Sequence, residues 1–392
     1  MDPGKSGRGT GEKKLFYLSG PAAGGMRSHL QQLLRRFSRD HIIYLGAPPE
    51  NSYPEMAALP EGSFFELALA GGDFPGGVLH SFQRLCRALR TINPLLLHIH
   101  GFRAALFGLP AARLARVPAL VTVHGRPAHR LWQNLAAVGR LPGAMEAHYI
   151  AVSCALAAEL AGRGIPEEQI SVIHNGIEPA LFESAAAERF SRQWWRDRLT
   201  VGAAGYFDRR RELSCFVEAA AVLAPLFPQM RFLLFGEGPG RAALEKLVRQ
   251  RGLGGRFSFG GRTGLRPRFA GIDLFVFPTA AGESLQTVLE ASAAGCAVVA
   301  ARSGGIPEII TDGVHGLLVP PADIVALARA VATLARDPER ARRLARACSE
   351  RVGKRFNREL MLSRTAFLYR RLAGEQHPRG SAETVSLPSG GR

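Results

Sequence analysis

The sequence predicts an α/β protein built from two doubly wound parallel sheets facing each other across a cleft. Three observations carry that reading. Strand-like apolar runs alternate with helix-periodic segments in two successive sets, the pattern of repeated βαβ units. The alternation breaks once, over residues 180–198, in the polar, basic and aromatic stretch ALFESAAAERFSRQWWRDR. The chain, at 392 residues, exceeds what one hydrophobic core ordinarily serves.

Residues 1–13 read as a disordered leader. The first domain then runs over 14–182. LFYLSG is a strand, PAAGGM a Gly-rich loop and RSHLQQLLRRFS a helix. HIIYLGA is a strand, and SFFELAL follows it. VLHSFQRLCRALRTI has the 3.6-residue apolar spacing of a helix. PLLLHIHG is a buried-strand run, RAALFGLPAARLARV a helix, and ALVTVHG and AHYIAVS are strands; QISVIHNGI closes the set. Residues 183–199 form the linker.

The second domain runs over 200–356. TVGAAGYF, RFLLFGEG, RFSFGG, IDLFVFPT, AVVAARSGG and GLLVP are its strands. LSCFVEAAAVLAPLF, RAALEKLVRQRG, LEASAAG, DIVALARAVATLARD and ERARRLARACSERVGKRF are its helices. A last helix within 357–374 is expected to pack back toward the first domain. The Gly-, Ser- and Pro-rich end, 375–392, reads as a disordered tail.

Composition removes several function classes. No run approaches the roughly 20 apolar residues of a membrane span, and the apolar stretch after the basic leader is too short for a signal peptide. The expectation is a cytoplasmic protein. The five cysteines stand far apart with no C-x-x-C pair, which speaks against a zinc knuckle or a disulfide framework. The net charge of +17 favours polyanionic partners. No nucleic-acid module accompanies it, so the expected partner is an anionic membrane surface, reached peripherally, and not nucleic acid. Basic segments such as RSHLQQLLRRF, which begins at Arg27, and FSRQWWRDR supply that charge.

Several motifs point to an anionic ligand. Gly24 and Gly25 stand at the start of a helix, where backbone N–H groups and the helix dipole favour negative charge. Gly205 lies in a strand–turn–helix stretch followed by Arg209, Arg210 and Arg211, whose guanidinium groups would clamp a diphosphate. A solvated charge run is the bland reading of the same residues. Gly236, Gly238 and Gly240 resemble a dinucleotide fingerprint, but the third glycine is misplaced and no acid follows about 20 residues on, so a nicotinamide enzyme is not expected. His98, His100 and His124 fall at predicted strand ends, where parallel sheets line their clefts; core histidines satisfied by backbone are the alternative. They form no metal-ligand pattern, and no D-x-D occurs, so no metal and no cofactor is expected. In ARSGGIPEIITDGVHGLLVPPAD, Gly304 and Gly305 end a strand, Pro307 begins a helical turn, and Glu308 lies at the cleft rim. Two further acids, Glu283 and Glu290, lie in AGESLQTVLEASAAG; Thr287 to Glu290 has the form of a capping box.

These stretches, from about Leu15 to about Arg371, resemble a retaining glycosyltransferase of family 4, which has the GT-B fold of two Rossmann-like domains. The C-terminal half carries the resemblance in RFLLFGEGPGRAALEKL, RFSFGGR, IDLFVFPT and VLEASAAGCAVVAARSGGIPEIITDGVHGLLVPPAD; the first half matches more loosely in GGMRSHL, HIHG, VTVHG, YIAVS and ISVIHNGIEPALF. The resemblance implies a nucleotide-diphosphate sugar in the second domain and a glycan or lipid-linked acceptor in the first. Gly205 is kept; Tyr206 stands where the family has arginine, and Arg211 where it has lysine. Glu290 matches the acid that holds the donor ribose, beside Leu285, Gln286 and Thr287, and Gly261 and Arg262 fall where the base is read. The acid beside the transferred sugar falls on Gly282, with Glu283 one place late, because the family leaves seven residues between its acids and this chain leaves six. Catalysis is expected at His124 with Glu283 or Gly282, and His98, His100 and Arg27 are expected on the acceptor side.

Three activities remain open at this stage. The first is a metal-independent hexosyltransferase acting in cell-surface polysaccharide, lipopolysaccharide or glycolipid synthesis. The second is a catalytically degenerate subunit that binds nucleotide or a partner without turnover, motivated by Gly282 and Tyr206. The third is a hydrolysing nucleotide-sugar epimerase.

Overall fold

The computed structural model describes residues 13–20, 24–48, 59–67, 69, 75–125, 146–191, 198–207, 212–261, 269, 271–279 and 285–374. Within them lie two all-parallel sheets, as the alternating pattern predicts. The first comprises β1 (Lys14–Ser19), β2 (Ile42–Ala47), β3 (Phe64–Glu66), β4 (Leu96–His100), β5 (Ala119–Val123), β6 (His148–Ala151) and β7 (Ile170–Val172), in the order β3-β2-β1-β4-β5-β6-β7. The second comprises β8 (Leu199–Ala204), β9 (Met230–Phe235), β10 (Phe257–Gly260), β11 (Leu274–Phe277), β12 (Ala297–Ala301) and β13 (Leu317–Val319), in the order β10-β9-β8-β11-β12-β13. The central strands are buried on both faces, which is why LLHIH, ALVTV and AVVAA read as near-continuous apolar runs. In each sheet the strand order reverses once, between β1 and β4 and between β8 and β11. Ligands of such sheets bind outside the carboxyl ends of the strands at that point.

The crossover helices of the first domain are α1 (Gly24–Phe37), α2 (Pro75–Ile92), α3 (Phe102–Ala115) and α4 (Cys154–Ala161). The segment read as a linker contains a helix, α5 (Glu183–Ser191). It is docked on the second domain by the buried guanidinium of Arg189, which donates to the carbonyls of Phe269, at 2.6 Å, and Ala294. Trp194 and Trp195 lie outside the described residues. The second domain adds α6 (Glu212–Leu226), α7 (Arg241–Gln250), α8 (Leu285–Ala293), the single turn α9 (Ile306–Ile309), α10 (Ile324–Arg336) and α11 (Pro338–Arg355). Asp323 and Asp337 cap the last two, each carboxylate accepting from the backbone N–H three residues on.

Gly236 and Gly238 of LLFGEGPG have a steric purpose. Gly236 has φ 148°, and a Cβ there would lie 1.9 Å from the carbonyl oxygen of Gly205. Gly238 is equally confined by the backbone of Phe207. They let the turn after β9 press against the turn after β8.

The final helix, α12 (Arg358–Leu372), is capped by Asn357 and packs on the first domain. Its Tyr369 closes a buried polar chain. The Tyr369 hydroxyl lies 3.0 Å from that of Tyr17 and 2.6 Å from Nδ1 of His98, while Nε2 of His98 lies 2.7 Å from the hydroxyl of Thr122. Burial raises the pKa of both tyrosines, so both stay protonated and able to donate. Tyr369→Phe is expected to leave a buried ring nitrogen of His98 unpaired. The cost is about 1–3 kcal/mol, measured as a lower unfolding midpoint of the full chain with unchanged far-ultraviolet dichroism.

Candidate active site

The two strand-order reversals face each other. Helix α1 of the first domain, which starts at Gly24 and Gly25, runs against α8 of the second. Gly305 meets Ser153 across the boundary: a Cβ on it would lie 2.6 Å from the Ser153 Cβ. Among the described residues, Glu308 makes three hydrogen bonds across the boundary. Its Oε2 accepts from the N–H of Cys154 at 2.9 Å and its Oε1 from the N–H of Ala155 at 3.0 Å. Nε2 of His174 lies 2.7 Å from the same carboxylate. An acid of one domain thus caps α4 of the other, where Ser153 already caps through its hydroxyl to the N–H of Leu156. Burial alone would raise the Glu308 pKa; the His174 and backbone hydrogen bonds outweigh it and leave it lowered.

Below this contact lies a histidine cluster. His100 ends β4 and His124 follows β5, with Nδ1 of His100 3.2 Å from Nε2 of His124. The sequence reading missed the third member, His29, in the second turn of α1. Its ring packs edge-on to His124, with centroids 4.9 Å apart. Nδ1 of His29 lies 3.1 Å from Oδ1 of Asn175, in the segment after β7. The signal for both was present in GGMRSHL and HNGI, but a histidine inside a helix and an asparagine in a turn each have commoner structural uses. One nitrogen from each of His29, His100 and His124 lies within 4.8 Å of the others; Cys154, His174 and Glu308 form a second such group. Burial holds all three rings of the cluster neutral, pushing His29 down to about 4 and His100 and His124 well below the usual imidazole value.

His98 is a correction. It lies inside β4 instead of at its end, and both ring nitrogens are taken by Tyr369 and Thr122, leaving none for an acceptor. Arg27 is half-buried on α1.

On the second domain, Gly205 follows β8, Tyr206 stands exposed beside it and Gly261 follows β10. Leu285, Gln286, Thr287 and Glu290 all lie buried on α8, and Nε2 of Gln286 donates to Oε1 of Glu290 at 3.1 Å. The capping-box reading fails here: α8 begins at Leu285, so Thr287 is its third residue and not its N-cap. Arg209, Arg210, Arg211, Arg262, Gly282 and Glu283 lie outside the described residues.

Two expectations follow from this geometry. Glu308→Ala removes the shared cap and is expected to cost about 2 kcal/mol. Faster limited proteolysis and a lower melting temperature would register it, with Glu308→Gln falling between. Acid should also unfold the first domain early. The cluster histidines have folded pKa values below about 6.5, the unfolded value, so the unfolded state binds more protons and stability falls as pH drops from there. His29 alone, held at about 4, forfeits on the order of 3 kcal/mol by pH 4. Melting curves taken from pH 7.5 to 4.5 should show the decline, and His29→Gln should flatten it.

Comparison with known proteins places this cleft. Residues 198–337 match the family described as glycosyl transferases group 1, and residues 23–181 match glycosyltransferase family 4. The 2-deoxystreptamine glucosyltransferase of Streptomyces kanamyceticus is 30% identical over 64% of this chain and 71% of its own. The phosphatidyl-myo-inositol mannosyltransferase of Mycobacterium tuberculosis is 26% identical over 90% of this chain and 94% of its own. The crystal structure of Anabaena HepE in complex with UDP and glucose superposes with a TM-score of 0.78 at 21% identity, over 91% of this chain and 99% of that one, and shares the fold. Among the described residues no helix is long and apolar enough to cross a membrane. Matched in both halves and in the same order, the chain belongs to the family 4, group 1 glycosyl transferases and is a glycosyltransferase with the GT-B fold.

Proposed function

We propose that the enzyme transfers a sugar, with retention of anomeric configuration, from a nucleotide-diphosphate sugar to a glycan or lipid-linked acceptor in cell-surface polysaccharide or glycolipid synthesis. The observation that carries the reading is the meeting of α1, which holds His29, with α8, which holds Glu290. HepE, whose structure holds UDP and glucose, supports the donor class. The mannosyltransferase of similar length, named for phosphatidyl-myo-inositol, supports a lipid-linked acceptor.

In this mechanism Arg210 and Arg211, with the N-termini of α1 at Gly24 and Gly25 and of α8, stabilise the charge that builds on the departing diphosphate. No metal is needed for that step. Glu290 holds the ribose hydroxyls, and backbone at Gly261 and Arg262 reads the base. His124, kept neutral by burial, offers a ring nitrogen to a sugar hydroxyl. The acceptor attacks the face from which the diphosphate leaves, and the leaving phosphate takes the acceptor's proton. Stabilisation of the positive charge that develops on the anomeric carbon is assigned to Glu283 or to the backbone of Gly282. With Arg27 and the other arginines of α1, the basic surface draws the enzyme to the anionic cytoplasmic face of a membrane.

The exposed Tyr206, where the family carries arginine, favours a second reading, nucleotide binding without turnover. A thermal-shift and product screen over a panel of nucleotide sugars separates the two. Transfer to an added acceptor, with the same anomer in product as in donor, is the expected result; stabilisation by a nucleoside diphosphate with neither transfer nor hydrolysis would establish the alternative. Glu290→Gln is expected to raise the donor KM by about 10- to 150-fold, the loss of charge-assisted hydrogen bonds worth about 1.5–3 kcal/mol, and an unchanged KM removes the ribose assignment.

A further inference from the structure

We infer that His29, His100 and His124 form a binding site for a divalent transition-metal ion such as Zn²⁺, at the floor of the cleft on the first domain. The binding of the ion is independent of the transferase reading, since it concerns the resting protein; only its inhibitory effect rests on that reading.

The rings come from three different elements, α1, the end of β4 and the turn after β5, so tertiary structure alone brings them together. His29 and His100 are fully buried, and His124 is half-buried at the cleft side. Each ring keeps one buried nitrogen that has no hydrogen-bond partner among the described residues: Nε2 of His29, Nε2 of His100 and Nδ1 of His124. For His29 the chemistry of the orphan is defined. The carbonyl oxygen of Asn175 can only accept, so Nδ1 of His29 carries the proton and donates to it at 3.1 Å. Nε2 therefore presents a lone pair with nothing to receive it. A buried acceptor of this kind is satisfied by a hydroxyl, a water or a Lewis acid.

Three features select the Lewis acid. The histidines are neutral, the state in which imidazole ligates. A ligating histidine is characteristically oriented by a hydrogen bond from its other ring nitrogen, as Asn175 orients His29. One nitrogen from each ring falls within 4.8 Å of the others, close enough for small ring rotations to converge on one ion. Imidazole suits zinc, copper and nickel better than magnesium or calcium. Three protein ligands leave a fourth position open toward the cleft, so a bound ion would occupy the space a sugar hydroxyl needs at His124. It would act as an inhibitor of acceptor or donor entry, and not in diphosphate departure.

The test uses the full chain after chelator treatment. Titration with Zn²⁺ by calorimetry, and with Co²⁺ by visible absorption, is expected to show one ion per chain and the intense absorption of tetrahedral cobalt. His29→Gln and His100→Gln should each weaken binding at least about tenfold, and Asn175→Leu by about 10- to 100-fold. Asn175→Asp, whose carboxylate accepts the same N–H, should bind at least as tightly as the unaltered chain. That variant, with melting curves on all of them, separates loss of a ligand from loss of the fold. Absence of stoichiometric binding overturns the inference. So does binding that survives in the His29 and His100 variants but disappears in Cys154→Ser and His174→Gln, which would move the ion to the group around Glu308.

Discussion

The carboxylate of Glu308 ties the two domains into one cleft. It reaches from the turn after β12 to the first N–H groups of α4, and its partner His174 begins a segment on which much of the molecule converges. Asn175 orients His29. The carbonyl of Gly176 accepts from Gln32 of α1, and its N–H meets Met361 of α12. Ile177 exchanges backbone hydrogen bonds with Phe356 and Arg358, on either side of the return crossing. Four consecutive residues thus touch the second domain, the histidine cluster, α1 and the final helix. A change at Glu308 acts on this junction first, and through Asn175 reaches the ring that packs against His124.

The cleft floor is expensive to build. Burying polar rings without full hydrogen bonding costs roughly 1–3 kcal/mol for each unsatisfied atom, and three ring nitrogens of the cluster have no partner among the described residues. The surrounding apolar packing of β1, β4 and β5 supports that cost. Such stored polarity is common where a protein must receive a hydroxylated or charged ligand, because the penalty is relieved on binding. His98 lies one pleat away and shows the contrast. With Tyr17, Tyr369 and Thr122 around it, its ring is fully engaged and contributes to rigidity.

Much of the fold was legible in the sequence because period and punctuation both survive in it. AVVAA is an uninterrupted apolar run and LLHIH a near-continuous one, and Asp323, Asp337 and Asn357 stand at the N-caps of three helices in the structure. The order of elements, and so the reversal points that position the cleft, follows from them. What escaped was whatever depends on contacts across long separations. His29 joins His100 only after α1 folds back on the sheet, and Asn175 reaches His29 over 146 positions. Glu308 was placed near the rim from its motif, but its partners Cys154 and His174 lie more than 130 positions away. His98 was misplaced because alternation says which side of a strand a residue faces, not whether Tyr369 waits there. The Thr287 capping box failed for a local reason: α8 starts three residues earlier than the pattern implies.

The return of α12 to the first domain has a consequence for biosynthesis. Residues 14–172 supply the first sheet, but the hydroxyl that completes the His98 chain belongs to Tyr369, which follows the whole second domain in sequence. Domains ordinarily fold as units while the chain emerges, the N-terminal one first. Here the first domain keeps part of its core uncovered until α12, which lies beyond the second domain in sequence, has been made. The first domain therefore completes its packing only after the second has been synthesised.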